Sequence, residues 1–452
     1  MARHQRPSPI FQLALSVPTP SPHRWSAQIA ERYACILSDD LADWFDAEIW
    51  KGCGSGEYCE SVHPEVLLSD APEVIWPGLM PANLLPILGD SMGNWLGVRI
   101  DSENQANQIV HWYHGGGDWI PWGNRLSEAI VFETLVDQLP GPRRAAALPA
   151  ENFQRQSPPK HDAIVRWAFA KYPREIADLM DRRIEPAAVA DRLLSHSIAE
   201  VAVRFELIQA ALFQDWSRHV FEPLAESLEL DWNDVVKWMF DADQMPESAW
   251  LKIQGMLNDL NLDPDPRSQD WKTAARHARV SQSLAPELSW PWDLIGYHNE
   301  RLGNRKEAIA AYWQGAMQST FTDQSVRLHM HFTQSVSAKF SIARLNEIDP
   351  AIVAGNDYLR LLLKNGESDD LPPLRQVYEH WMRIADDCES HGNLDAAFDS
   401  LMRAGWDLGA EQIADYGKIL ERIEAVAAAA GQTGRSRLAA AHRRCLDKRY
   451  GI

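Results

Sequence analysis

LLPILGDSMGNWLGVRID, residues 84–101, is the stretch whose reading decides the fold of the first third of this chain. Leu84 to Leu88 is a short apolar run, and Gly89-Asp90-Ser91-Met92-Gly93-Asn94 is rich in turn residues. Trp95 to Ile100 then puts Leu96, Val98 and Ile100 on one face, because successive side chains of an extended chain point to opposite sides. The stretch predicts two antiparallel strands joined by a tight turn. Asp101 to Asn107 is polar and turn-like, and Gln108 to Tyr113 predicts a third strand rich in β-branched and aromatic residues. His114-Gly115-Gly116-Gly117-Asp118 turns again, and Trp119 to Trp122 predicts a short fourth strand. Ser127 is placed to cap a helix bearing Ile130, Val131, Leu135 and Leu139, which Pro140-Gly141-Pro142 ends.

Upstream, Asp39 or Asp40 is placed to cap a helix with Leu41, Trp44, Phe45 and Ile49 on one face, stopped by Lys51-Gly52-Cys53-Gly54-Ser55-Gly56. Residues 1–24 are Pro- and Ser-rich, as a flexible tail would be. The expected organisation is an α+β domain with an antiparallel sheet over 25–145, a linker over 146–160, a helical region over 161–286 and a second helical region over 287–452. Helices are predicted at His161 to Arg182, Ile198 to Phe213 and Trp232 to Phe240, with breaks such as Asp263-Pro264-Asp265-Pro266. No strand is predicted beyond residue 160.

Two segments of the helical half share a set of offsets. Trp292, Ile295, Gly296, Gly303, Ala308 and Tyr312 are matched by Trp381, Ile384, Ala385, Gly392, Ala397 and Leu401. The pattern predicts a helix hairpin in which small residues let two backbones approach, with a left-handed glycine ending the first helix. It resembles the tetratricopeptide repeat, although Asn299 and Cys388 stand where that family prefers Tyr; a generic helical bundle is the alternative.

A second resemblance covers about residues 40–140. The hairpin of residues 84–101, then Val110-His111-Trp112-Tyr113-His114 and the helix from Ser127, look like the SUKH superfamily, which includes fungal cell-wall-assembly regulators and bacterial toxin-immunity proteins. The family's motif maps onto Asp90, Gly93, Asn94, Asp101 and His114, whereas Lys51-Gly52-Cys53-Gly54 stands where its Asn-Gly-Gly is expected. The resemblance implies a scaffold that binds protein partners on a variable surface and has no shared catalytic residue.

Composition narrows the function classes. A net charge of -19 repels phosphate backbones, and the most basic stretch, Arg435 to Arg449, is Ala-rich and helical in pattern, which favours a solvated helix face over a nucleic-acid site. No run approaches the ~20 apolar residues that cross a bilayer, so no membrane partner is expected. The five cysteines are scattered and odd in number, suggesting a reducing, cytoplasmic setting. Cys53, Cys59 and His63 supply three ligands where a closed zinc site needs four, and His329 and His331 would point to different sides of a helix, so neither group predicts a metal site. No cofactor is expected.

Gly89-Asp90-Ser91-Met92-Gly93 formally matches the nucleophile elbow of serine hydrolases, which needs a helix directly after the serine. The residues that follow alternate as a strand. A serine hydrolase using Ser91 is therefore the alternative to a non-catalytic protein-binding adaptor. Trp112, Trp119 and Trp122 are expected either to pack in the core or to form, with Asp118, an exposed aromatic patch for a partner. The acidic charge suits a basic partner, such as a toxin, or a regulatory protein.

Overall fold

The 84–101 stretch folds as the hairpin its pattern predicts. The computed structural model describes residues 24–52, 58, 60–141, 160–180, 184–213, 215–262, 269–333, 339–363 and 374–451. The expected tail and linker fall outside these residues, apart from the last residue of each. The strands are β1 (Ile36–Leu37), β2 (Glu60–Ser61), β3 (Leu84–Gly89), β4 (Trp95–Ile100), β5 (Gln105–Trp112) and β6 (Trp119–Gly123). They form one sheet in the order β1-β5-β4-β3-β2, with β6 also on β5.

Asp90 builds the turn between β3 and β4. Its Oδ1 accepts from the amides of Met92 and Asn94 at 2.8 Å each, and its Oδ2 accepts from Asn94 Nδ2 at 2.7 Å. Gly93 supplies the left-handed residue at φ 87°, where a Cβ would carry a steric penalty. Across the hairpin the Trp95 ring lies over Gly89, where an added Cβ would sit 2.6 Å from it. Asp101 repeats the device: its Oδ1 accepts from the amides of Glu103 and Gln105 at 2.9 and 2.8 Å. That turn is complete by Asn104, so β5 starts at Gln105, three residues before the predicted Gln108.

Three expectations need correction. The sheet is mixed rather than antiparallel, because β1 runs parallel to β5, Ile36 facing Gln105. Ser38, not Asp39 or Asp40, caps helix Asp39–Asp46, its side chain accepting from the Leu41 amide. Ser127 does not cap helix Leu126–Leu135; the Ser127 amide instead donates at 2.9 Å to the carboxylate of Asp40, 87 positions earlier. Asp40 is thus a cap supplied from a different helix, where a carboxylate also meets the positive end of the helix dipole. Burial raises its pKa, with the Ser127 hydrogen bonds opposing.

Beyond residue 160 every helix or strand among the described residues is a helix. Trp232–Phe240 appears with the predicted bounds, whereas His161 to Arg182 divides at Pro173 into Ala163–Phe169 and Arg174–Ala177. The two matched segments are both helix hairpins, Trp290–Arg301 with Arg305–Met317 and Leu374–Ser390 with Leu394–Trp406. Gly303 and Gly392 turn between them at φ 74° each. An added Cβ at Gly296 would meet the Tyr312 ring at 2.4 Å, the close approach that the spacing predicts. Between the hairpins lie the short helices Phe340–Ile348, Pro350–Ala354 and Asp357–Leu362.

The helices do not stand apart from the sheet. One hydrophobic core runs from Trp25 to Leu446, and every residue of β3 is buried. Helix Leu126–Leu135, all ten residues buried, contacts β6, while helix Thr433–Tyr450 returns to the N-terminal segment. There His442 Nε2 donates to the Leu84 carbonyl at 3.1 Å, Arg435 Nε to that of Ile100 at 3.2 Å, Arg444 Nε to that of Asp70 at 2.8 Å and Cys445 Sγ to that of Pro72 at 3.2 Å. The Arg435 to Arg449 stretch is therefore a docking face toward the N-terminal third, not the solvated face its composition suggested.

A buried charge pair fixes the middle of the chain. The Lys339 ammonium, 1% exposed, lies 3.0 Å from Asp407 Oδ1 and also donates to the carbonyls of Ala316 and Gln318 and to the Tyr358 hydroxyl. Burial depresses the Lys339 pKa, and Asp407 opposes the shift. Removing one partner of such a pair leaves the other charge unpaired and costs ~3–5 kcal/mol. Lys339→Met is expected to lower stability by about that amount in urea denaturation, and Lys339→Met/Asp407→Leu to recover part of it.

Burial pushes the His442 pKa down to about 4, the Leu84 carbonyl opposing. An unfolded histidine titrates near ~6.5, so the unfolded chain binds the extra proton first and the contribution is lost as pH falls from there toward 4. His277 and His329, also depressed to about 4, act in the same sense, and Asp293, raised to about 8 by burial, acts oppositely. His442→Gln is expected to be less stable than the parent at neutral pH, the gap narrowing by at most ~3 kcal/mol toward pH 4. Urea titrations at several pH values check this.

Candidate functional site

The three tryptophans singled out in the sequence are core residues. Trp112 is fully buried, and its Nε1 donates to the Leu79 carbonyl at 3.1 Å. Trp119 lies beneath the Arg99 guanidinium, 4.9 Å from its centroid, and Trp122 packs on Phe132 at 4.9 Å and His111 at 4.4 Å. All are under a tenth exposed, so they do not form an exposed aromatic patch. Asp90, Gly93, Asn94 and Asp101 are turn-builders, and Asn94 Oδ1 holds the His114 amide at 2.8 Å. The His114 ring packs 4.5 Å from Trp76. Ser91 is exposed in the turn and is followed by β4, not by the helix that an elbow requires.

Asp118 does reach a cavity. A cleft of about 650 Å³ opens between the β5–β6 face, helix Glu200–Leu212 and residues 320–327. His111, Tyr113, Ile120 and Trp122 line its sheet side, Phe205, Glu206 and Gln209 come from the helix, and Phe321, Asp323, Gln324 and Arg327 close it. Two large apolar side chains stand at its edge, Met92 from the hairpin turn, 61% exposed, and Val326, 59% exposed. Exposed apolar groups beside a concavity are a usual mark of a contact surface.

The Arg327 guanidinium lies flat over Tyr113, 3.6 Å from its centroid, and is ion-paired with Asp118. It also donates to Gln324 Oε1 at 2.9 Å. Burial opposes its charge, but Tyr113 and Asp118 outweigh burial and raise its pKa. Burial pushes the Asp323 carboxyl up to about 6, against hydrogen bonds from Ser325 and with the Asp118 charge adding to the rise. Below the floor Tyr58 Oη is hydrogen-bonded to His111 Nε2. With Asp118, Asp323 and Glu206 against Arg327, the lining carries more acid than base.

Sequence reasoning found Asp118 and Trp122 here and missed Arg327, Asp323, Phe205 and Glu206. The first two sit in a run without helical or strand period, and the others lie on a helix whose direction one chain of letters does not reveal. His329 is in a left-handed conformation at φ 57° and His331 begins a 3-10 turn, so the two do not share a helix. Among the described residues no group of three His, Cys, Asp or Glu is placed to hold a metal, and Cys53 and Cys59 lie outside them. No helix among them is long and apolar enough to cross a membrane. No family model, curated protein or solved structure matches the chain.

A carboxyl raised by burial favours folding while protonated and loses that contribution as pH rises from the unfolded value toward the folded one. Asp323→Asn, which does not titrate, is therefore expected to gain on the parent between pH 4 and 6, by at most ~3 kcal/mol. Thermal melts of the two proteins across that interval check the sign.

Proposed function

We propose that this chain is a non-catalytic protein-binding protein, a SUKH-type immunity or regulatory adaptor with tetratricopeptide-like helix hairpins. Its partner inserts a basic, partly apolar element into the cleft between the β5–β6 face and residues 320–327. The observation that carries this reading is the pairing of exposed Met92 and Val326 with an acid-rich aromatic interior. Apolar edges give contact area, and the acidic side chains Asp118 and Asp323 beside Arg327 favour a cationic element over an anionic one. The net charge of -19 speeds the approach of a basic partner at low salt.

The tetratricopeptide-like reading rests on the matched offsets and on the shared left-handed glycines of the two hairpins. The SUKH reading rests on the order of hairpin, aromatic third strand and closing helix. Neither supplies a nucleophile or a base, and the Ser91 turn lacks the helix on which a hydrolase elbow depends.

The test is retention of basic toxin domains by the immobilised full chain, with acidic proteins of similar size as controls. Capture of a basic domain, weakened roughly tenfold in Met92→Ser/Val326→Ser, which removes the apolar edges and leaves the charge unchanged, is the expected result. Equal capture by the double variant would move the interface elsewhere. Labelling by a fluorophosphonate that Ser91→Ala abolishes would replace the adaptor with a hydrolase.

A further inference from the structure

A second cleft, of about 380 Å³, lies between the other face of the sheet and helix Leu394–Trp406, both of which line it. Trp119, Phe398 and Trp406 give it an apolar floor, and Arg99, Arg403 and Arg435 converge on it from three separate segments. Arg99 is engaged by Glu287 and by Gln108, at 2.9 Å each. Arg435 is held by the Ile100 carbonyl and by Gln432 Oε1 at 3.0 Å, and its guanidinium lies 4.5 Å over Phe398. Among the described residues neither Arg403 nor Arg435 has a carboxylate within ion-pair distance. Asp399, also in the lining, interacts with both only through space and keeps contact with solvent.

Three buried polar atoms of the lining residues have no hydrogen-bond partner: Arg403 Nη1, Trp406 Nε1 and Asn83 Oδ1. Asn83 and Trp406 are each 3% exposed. These atoms lie just behind the cleft wall, where a buried polar group gains from a partner that a small side-chain adjustment brings within reach. The three guanidiniums exceed Asp399 and Glu287 by one charge, which suits a single negative charge better than the two of a phosphate monoester.

We propose that this cleft binds a small organic carboxylate with an aromatic or aliphatic body, its carboxylate on Arg403 and Arg435 and its body on Trp119, Phe398 and Trp406. This goes beyond the adaptor reading and does not rest on it. Because the sheet and helix Leu394–Trp406 both contribute, the ligand bridges the two halves of the chain. Arginine forks and planar carboxylates match in geometry, and the low dielectric of the cleft strengthens the pair.

The full chain is titrated with indole-3-acetate and octanoate, followed by calorimetry, with indole-3-ethanol as the neutral analogue and phenyl phosphate as the dianion. At least one carboxylate is expected to bind one to one with Kd below about 1 mM. Arg403→Gln should weaken it roughly tenfold, and Asp399→Asn, which removes a competing carboxylate and keeps every arginine, should tighten it. No saturable binding of either carboxylate, equal binding of indole-3-ethanol, or tighter binding of phenyl phosphate would overturn the assignment. If Arg403→Gln does not fold, Asp399→Asn decides alone: unchanged or weaker binding refutes the site.

Discussion

The ammonium of Lys339, shut away from water among Asp407, Tyr358 and two main-chain carbonyls, is the constraint on which the two clefts depend. Asp407 also accepts from the Thr320 amide at 2.9 Å, and Ser319 Oγ donates to the Trp406 carbonyl at 2.6 Å. Together they fix the segment leaving helix Arg305–Met317. That segment walls both cavities, Gln318 and Ser319 on one side of the sheet and Thr320 to Arg327 on the other. An apolar pair of equal volume would hold the same helices, but it would not orient the carbonyls of Ala316 and Gln318.

The sheet is the common wall, and its burial on both faces explains its composition. β3 is apolar almost throughout because each of its faces meets protein: Leu88 lines a small cavity with Ile130 and Ile164, whereas Leu84 borders the cleft beneath helix Leu394–Trp406. Strands buried on both sides read as continuous apolar runs, not as alternation. On the neighbouring β4, the one charged side chain, Arg99, is stacked on Trp119, ion-paired and hydrogen-bonded. The sheet shares one hydrophobic core with most of the helices, while Trp216, Trp238, Trp250 and their neighbours form a smaller second one.

How much of this was legible follows from the range of the forces involved. The hairpin is readable because Asp90 bonds to Met92 and Asn94 within five residues and Gly93 supplies the left-handed turn residue, and the glycines of the helix hairpins are readable because a left-handed residue is a local demand. The start of β5 was misplaced because Asp101 tightens its turn more than its polar neighbours suggest. The two-residue β1 and the cap that Asp40 lends to Ser127 are contacts between distant segments, which no spacing encodes. For the same reason the tryptophans could be located on strands, but not assigned to interior or surface. Arg327 had no local signature at all, since its role comes from Tyr113 and Asp118, more than 200 positions earlier.

Helix Thr433–Tyr450 gives the hydrogen bonds between the ends of the chain an order in time. A ribosome delivers the carbonyls of Asp70, Leu84 and Ile100 hundreds of codons before Arg444, His442 and Arg435 exist to meet them. Until then those three carbonyls have water as their partner. A chain truncated before that helix would leave these three carbonyls without their side-chain donors, however well the hairpin itself had formed.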